Sequence, residues 1–275
     1  NNVYVARDWL MQMGKGAELN GMTVQYCMSL SRHVLQSLEI PVVTQARASD
    51  DFQPNDYLQW RIGMSSMFAW AVGIAPFKDT FWTTSVQPDN YYNKSEPFPA
   101  MHAVISTLSR GPVGPGDMIN GTDVPLLMKC CATDGLILNP SKPAMAIDAQ
   151  IMQEAFGGDT GPTGELWTTY TDISHLRFGI IFATNMANSF NVTPSNALFG
   201  KAYQSQDNHL FGVDRRGVLS PKKYSDKHPV LITPKCTNAN FCLYYTTPTL
   251  KYGTQNILLL GELSKWVPIS AKRIT

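Results

Sequence analysis

Two adjacent carboxylates, Asp50 and Asp51, close the run from Gln45 to Phe52, three and four residues after Arg47 and directly after the apolar segment Ile40 to Thr44. Acids at the carboxyl end of a buried strand are how a (β/α) barrel presents catalytic groups. The competing reading is a helix N-cap, which Ser49-Asp50-Asp51 also suits. Adjacent carboxylates can share a proton and so do general acid–base work, with Arg47 either opposing that sharing or orienting the pair. Asp79 and Trp82 end the next apolar run, from Ile74, and Asp117 ends the glycine-rich run from Gly111. Carboxylates that grip hydroxyls and an indole that stacks on a sugar's apolar face are the parts of a sugar pocket. Each also has a plainer role: a loop cap for Asp79, a core anchor for Trp82, a turn residue for Asp117.

Other chemistry is excluded by residue type and spacing. No convergent Cys/His spacing offers a metal site, and no cofactor is expected. The glycines from Gly111 to Gly116 do not make a phosphate cradle, because Pro112 and Pro115 remove the N–H donors such a cradle uses. Trp60 reads as a core residue, and His33 and His102 as surface or edge histidines. A formal net charge of +1 gives no electrostatic reason for a nucleic-acid or membrane-surface partner. No apolar stretch approaches the roughly 20 residues of a membrane helix.

The elements that must position these residues alternate. Helical patterns over Asp8 to Asn20, Arg32 to Leu38, Gln59 to Val72, Ala100 to Leu108 and Asp123 to Cys131 separate short apolar runs at Thr23 to Met28, Ile40 to Thr44, Ile74 to Trp82 and Gly111 to Asp117. Helix and strand in alternation predict βα units with a parallel sheet. Four such units are half of an eight-stranded barrel, and half a barrel leaves edges that something else must cover. Beyond Leu136 the runs Leu176 to Thr184, Phe241 to Thr247 and Gln255 to Leu260 are strand-like and separated by Gly, Asn and Pro. They predict an antiparallel β-sandwich over 137–275, after a barrel half over 1–136.

Cys236 and Cys242 flank a polar loop that a disulfide could close, while Cys27, Cys130 and Cys131 read as small packed hydrophobes. Sequons at Asn93, Asn120 and Asn191, taken with the cysteine pair, point to a secreted or lysosomal glycoprotein. With neither Met nor a basic-then-apolar leader at Asn1 to Tyr4, the expectation is a gene product that begins upstream.

The order of these segments resembles the C-terminal half of glycoside hydrolase family 36, the raffinose-synthase and alkaline α-galactosidase type. The residues that carry the resemblance are Arg47 to Phe52, the helix with Trp60, Gly111 to Asp117, Asp134 to Leu138 and the Pro140/Pro143 segment, within roughly Ala6 to Gln150. It implies the C-terminal half of a (β/α)8 TIM barrel followed by an antiparallel β domain, and a retaining glycosidase acting on α-galactoside-type sugars. Asp51 is then the general acid/base and Asp50 its close alternative, since one residue of slippage at a strand end exchanges them. Arg47, Asp79, Trp82 and Asp117 bind substrate. The family's nucleophile, an Asp on strand four, would lie upstream of Ala6; Asp8 fits a helix cap instead. The implied partners are a carbohydrate and the upstream half of the barrel, from the same precursor or another chain. A catalytically silent, glycan-binding or structural relative is the alternative, and a raffinose-synthase-like transglycosidase a further one.

Overall fold

A computed structural model of the chain describes residues 2–55, 58–90, 93–214, 217–218 and 220–274. It begins with α1 (Asn2–Leu19), whose Leu10 and Ala17 recur at helical spacing and are buried. β1 (Val24–Tyr26), α2 (Ser31–Gln36) with a following 3-10 turn, β2 (Val43–Arg47), α3 (Ser65–Ala71) and β3 (Ala75–Phe77) follow. The strands pair in parallel in the order β1-β2-β3, with Val24 opposite Val43 and Gln45 opposite Ala75. Parallel neighbours need a crossover, and the two helical segments supply it. Leu10, Val34, Ile40, Val43, Ala46, Ala69 and Ile74 fill the space between strands and helices. Gly73 turns α3 into β3 at φ 85°, where a side chain would be strained.

A fourth segment runs beside β3. The Gly111 amide donates to the Pro76 carbonyl (3.0 Å), the Gly116 amide to the Phe81 carbonyl (2.8 Å), and Phe81 and Pro115 form a parallel bridge. A Cβ on Gly111 would lie 2.5 Å from Phe77 Cβ, so glycine is what allows this approach.

α4 (Pro99–Leu108) starts at a proline and is buried on all sides, and α5 (Val124–Leu127) is capped by Asp123, which accepts the Leu126 amide at 3.0 Å. The rest is mainly antiparallel. β4 (Met145–Ala146), α6 (Asp148–Phe156), β5 (Glu165–Ile173), β6 (Leu176–Thr184), β7 (Phe190–Val192), α7 (Lys201–Gln204), β8 (Asn208–Asp214), β9 (Gly217–Val218), β10 (Lys222–Tyr224), β11 (Val230–Ile232), β12 (Cys242–Tyr252) and β13 (Gln255–Leu258) follow in order. The main sheet runs β10-β8-β12-β6-β5-β4, β13 and β9 extend it, and β7 and β11 form a separate ribbon.

The fold thus mixes helix and sheet, with antiparallel sheets in the second part, and closes no barrel among the described residues. Two helices are shorter than their sequence patterns. Gln59 to Val72 yields only Ser65–Ala71, because Trp60 and Ile62 turn into the core. Asp123 to Cys131 yields only Val124–Leu127. One core spans the expected boundary at residue 136: Trp60, Ile62, Met101, Val104, Ile105 and Leu108 pack with Trp167, Ile180, Phe182, Phe211, Tyr245 and Val267. Beneath it Glu165, itself buried, accepts from Trp167 Nε1 (2.7 Å), Gln150 Nε2 (2.9 Å) and Arg61.

Candidate functional site at the parallel strand exits

The exits of β2 and β3 are tied together by short bonds. The Ala48 amide donates to the Phe77 carbonyl (2.8 Å), and the Asp79 amide to Ser49 Oγ (2.8 Å). The first continues the parallel ladder past the strands and the second ties the chain beyond them through a side chain, so both exits leave on the same side. Arg47 lies between them, its side chain only 7% exposed, and its guanidinium pairs with Asp51 at 2.7 Å and Asp79 at 3.5 Å. Asp79 also accepts the Phe52 amide at 2.7 Å. One buried cation therefore gathers two carboxylates from consecutive strand exits.

Asp51 is exposed at the rim and Asp50 beside it is exposed too, but it is Asp51 that the guanidinium holds. A cavity of about 440 Å³, lined among others by Ser29, Arg47, Ser49, Asp50, Ser65 and Phe68, opens next to the cluster. That volume falls within the usual range of small-molecule pockets.

The remaining sequence candidates sit elsewhere. Asp117 is occupied inside the protein, accepting from the Thr83 amide (2.8 Å), Thr83 Oγ1 (2.6 Å) and Gln87 Nε2 (2.8 Å), which ties two loops together. Trp82 is buried in a cluster with Phe52, Phe81, Ala103 and Cys130, and Phe52 meets its ring edge-on at 5.9 Å. Trp60 is fully buried, as expected, although it lies before α3 and not on it.

Two sequence readings are corrected. His102 is not a surface histidine but is fully buried, because α4 carries no charged residue and packs on every side. Cys27 is exposed rather than packed, since it lies past the end of β1 where no helix covers it. Cys130 and Cys131 are buried, and burial pushes the Cys130 thiol up to about 11, which makes it a packing group and not a nucleophile.

Lys78, Glu96 and His102 were not singled out as a group by the sequence. Burial lowers the Lys78 ammonium to about 7, with Asp79 and Glu96 opposing. Its only sequence signal was a lysine inside an apolar run, Phe77-Lys78-Asp79.

Cys236 and Cys242 form a disulfide, and Asn93, Asn120 and Asn191 are exposed. No helix among the described residues is long and apolar enough to cross a membrane, and none of their His, Cys, Asp and Glu side chains cluster as a metal site. No family model matches the chain, and no curated protein matches it.

Proposed function

We propose that this chain carries one half of the active site of a retaining glycosidase acting on α-galactoside-type sugars, with Asp51 as general acid/base. The meeting of Asp51 and Asp79 on Arg47, at 2.7 and 3.5 Å, is the observation that carries the reading. Retention needs one carboxylate to attack the anomeric carbon and another to protonate the leaving oxygen and then deprotonate water. In this reading Asp51, at the exposed rim, moves the proton. Arg47 orients it, Asp50 grips hydroxyls in the adjoining cavity, and Asp79 grips them from beside Arg47.

The nucleophile belongs to a complementary half barrel, from the same precursor or another chain. Two features support that part of the proposal. β1 pairs on one side only among the described residues, and Trp9, Met13, Val24 and Met28 line an apolar groove of about 300 Å³ along it. The parallel strands with their fourth segment are then the second half of a (β/α)8 barrel, and the antiparallel region is the sandwich that follows it. The disulfide and the exposed sequons support secretion.

The second reading, a catalytically silent glycan-binding or structural protein of the same descent, is favoured by the internal use of Asp117 and the burial of Trp82. A raffinose-synthase-like transglycosidase would use the same groups with a sugar as acceptor. The test is turnover of an aryl α-galactoside and of a galactose-terminated oligosaccharide by the complete protein, with the complementary half present, as wild type and as Asp51→Ala. Loss confined mainly to the oligosaccharide, which needs leaving-group protonation, supports Asp51 as acid. Equal loss on both moves the role elsewhere. Binding with no turnover by wild type selects the silent reading, and neither binding nor turnover removes both.

A further inference from the structure

The register of the antiparallel sheet sorts its side chains onto two faces. Leu210 lies opposite Lys222 and Gly212 opposite Tyr244, so Leu210, Lys222, Tyr224 and Tyr244 share one face. Phe211 and Tyr245 take the other face and join the core around Trp167. The ribbon of β7 and β11 packs across the first face, where Val192 and Ile232 are fully buried in one cluster with Tyr224.

That packing stops short near β10, the end strand of the sheet. A cavity of about 660 Å³ lies there, with Leu210, Tyr224 and Tyr244 on the sheet side and Val230 on the ribbon side. Gly212 puts no side chain into it. The volume suits a small molecule, and the walls are mostly apolar. The charge around it has one sign. Lys222 is exposed on the cavity face, makes no ion pair among the described residues, and can lay its stem along Leu210 while its ammonium meets a ligand. His228, where the ribbon begins, uses Nδ1 on Ser225 Oγ (2.9 Å), which leaves Nε2 for a second contact. No Asp or Glu lines the cavity. The two nearby acids are already engaged: Asp226 accepts the Ser195 amide (3.1 Å) and hydroxyl (2.6 Å), and Asp207 pairs with Lys223 (3.4 Å).

We propose that this cavity binds a monocarboxylate with an apolar body, held between sheet and ribbon with its carboxylate on Lys222 and His228. One unpaired ammonium and one ring nitrogen match the two oxygens and single charge of a carboxylate, whereas a phosphate's three acceptor oxygens and higher charge would be under-served. The aliphatic walls and the Tyr244 ring accept either an alkyl chain or an aryl ring. The site is on the β domain and does not rest on the carbohydrate reading.

Calorimetric titration of the full chain with hexanoate, octanoate, decanoate, decanol and 4-phenylbutyrate tests this. Decanoate should saturate one site, with each methylene added from hexanoate tightening binding up to about fourfold. Decanol should bind about tenfold more weakly, and Lys222→Gln should weaken decanoate about tenfold while leaving decanol unchanged. Preference for decanoate over 4-phenylbutyrate marks an aliphatic ligand and the reverse an aryl one, and both support the site. Amide shifts on binding should concentrate at 208–212, 222–224, 228–232 and 242–246. Shifts confined elsewhere, equal affinity for decanol and decanoate, unchanged affinity in Lys222→Gln, or no saturable binding would each overturn the proposal. β10 and β11 pair on one side only among the described residues, so a glutamate-rich extended peptide and a second copy of the chain are the rival occupants. Binding of that peptide, or self-association in sedimentation, with no carboxylate bound overturns the proposal in favour of the rival. Should Lys222→Gln not fold, the amide map and the decanol comparison in wild type decide.

Discussion

Gly63→Ala should weaken the junction between the parallel and antiparallel parts out of proportion to one methyl group. A Cβ at this position would stand 2.3 Å from Trp167 Nε1, 2.6 Å from Cε2 and 2.7 Å from Cδ1. An ordinary contact requires about 3.4 Å, so the indole must retreat by about 1 Å. It has little room, since Trp60 and Phe182 lie at centroid distances of 6.1 and 5.3 Å. Retreat would also stretch the 2.7 Å bond to the buried carboxylate of Glu165 beyond hydrogen-bond length. Overpacking costs about 1 to 3 kcal/mol, and a buried indole N–H that loses its acceptor costs about 1 to 3 more, so the expected loss is about 2 to 6 kcal/mol. The backbone at Gly63 lies outside the left-handed region, so no conformational strain confuses the result. Urea unfolding followed by near-UV circular dichroism measures it, with the midpoint lowered and the slope unchanged. In a Trp167→Leu background the same Gly63→Ala change should cost less than about 1 kcal/mol, giving a large coupling energy. A loss below about 1 kcal/mol in the wild-type background, or strict additivity with Trp167→Leu, would refute the steric reasoning.

Removing the Cys236–Cys242 disulfide by paired serine substitution opens a loop of six residues' separation and should cost about 2 to 3 kcal/mol, loosening the turn before β12 while β1 to β3 stay protected. Peptide mapping without reductant should recover one linked pair, and free thiols at both positions would remove that expectation. Asp117→Ala strips three accepted bonds from Thr83 and Gln87 and should destabilise by about 2 to 3 kcal/mol, with faster amide exchange at 83–87. Unchanged exchange, together with weakened sugar binding, would instead make Asp117 a ligand group.

Strand exits were legible because a short apolar run followed by acids is a local signal. Arg47, Asp51 and Asp79 do converge, and Leu176–Thr184 is a strand from end to end. What was not legible depended on partners distant in the chain. Asp117 looks free until Thr83 and Gln87, about thirty residues earlier, are seen to occupy it. Trp82 looks like a sugar platform until Phe52 and Cys130 surround it. The burial of His102 had a sequence signal that the residue type obscured, since Ala100 to Leu108 has no charged residue and so no face suited to water. α6 (Asp148–Phe156) was hidden in a region read for its strands, although Asp148 and Glu154 suit a helix better than a sheet.

The all-round burial of α4 also has a meaning in time. Its covering residues, from Trp167 in β5 to Val267 near the end of the chain, are synthesised well after Leu108. At ribosomal rates of about 5 to 20 residues per second, this apolar helix waits roughly ten to thirty seconds for its last cover. During that interval Met101, Val104, Ile105 and Leu108 form a hydrophobic stripe on the nascent chain. Early chaperone contacts should therefore concentrate there, and slowing translation over 165–267 should lengthen the period in which this helix can associate with the wrong surface.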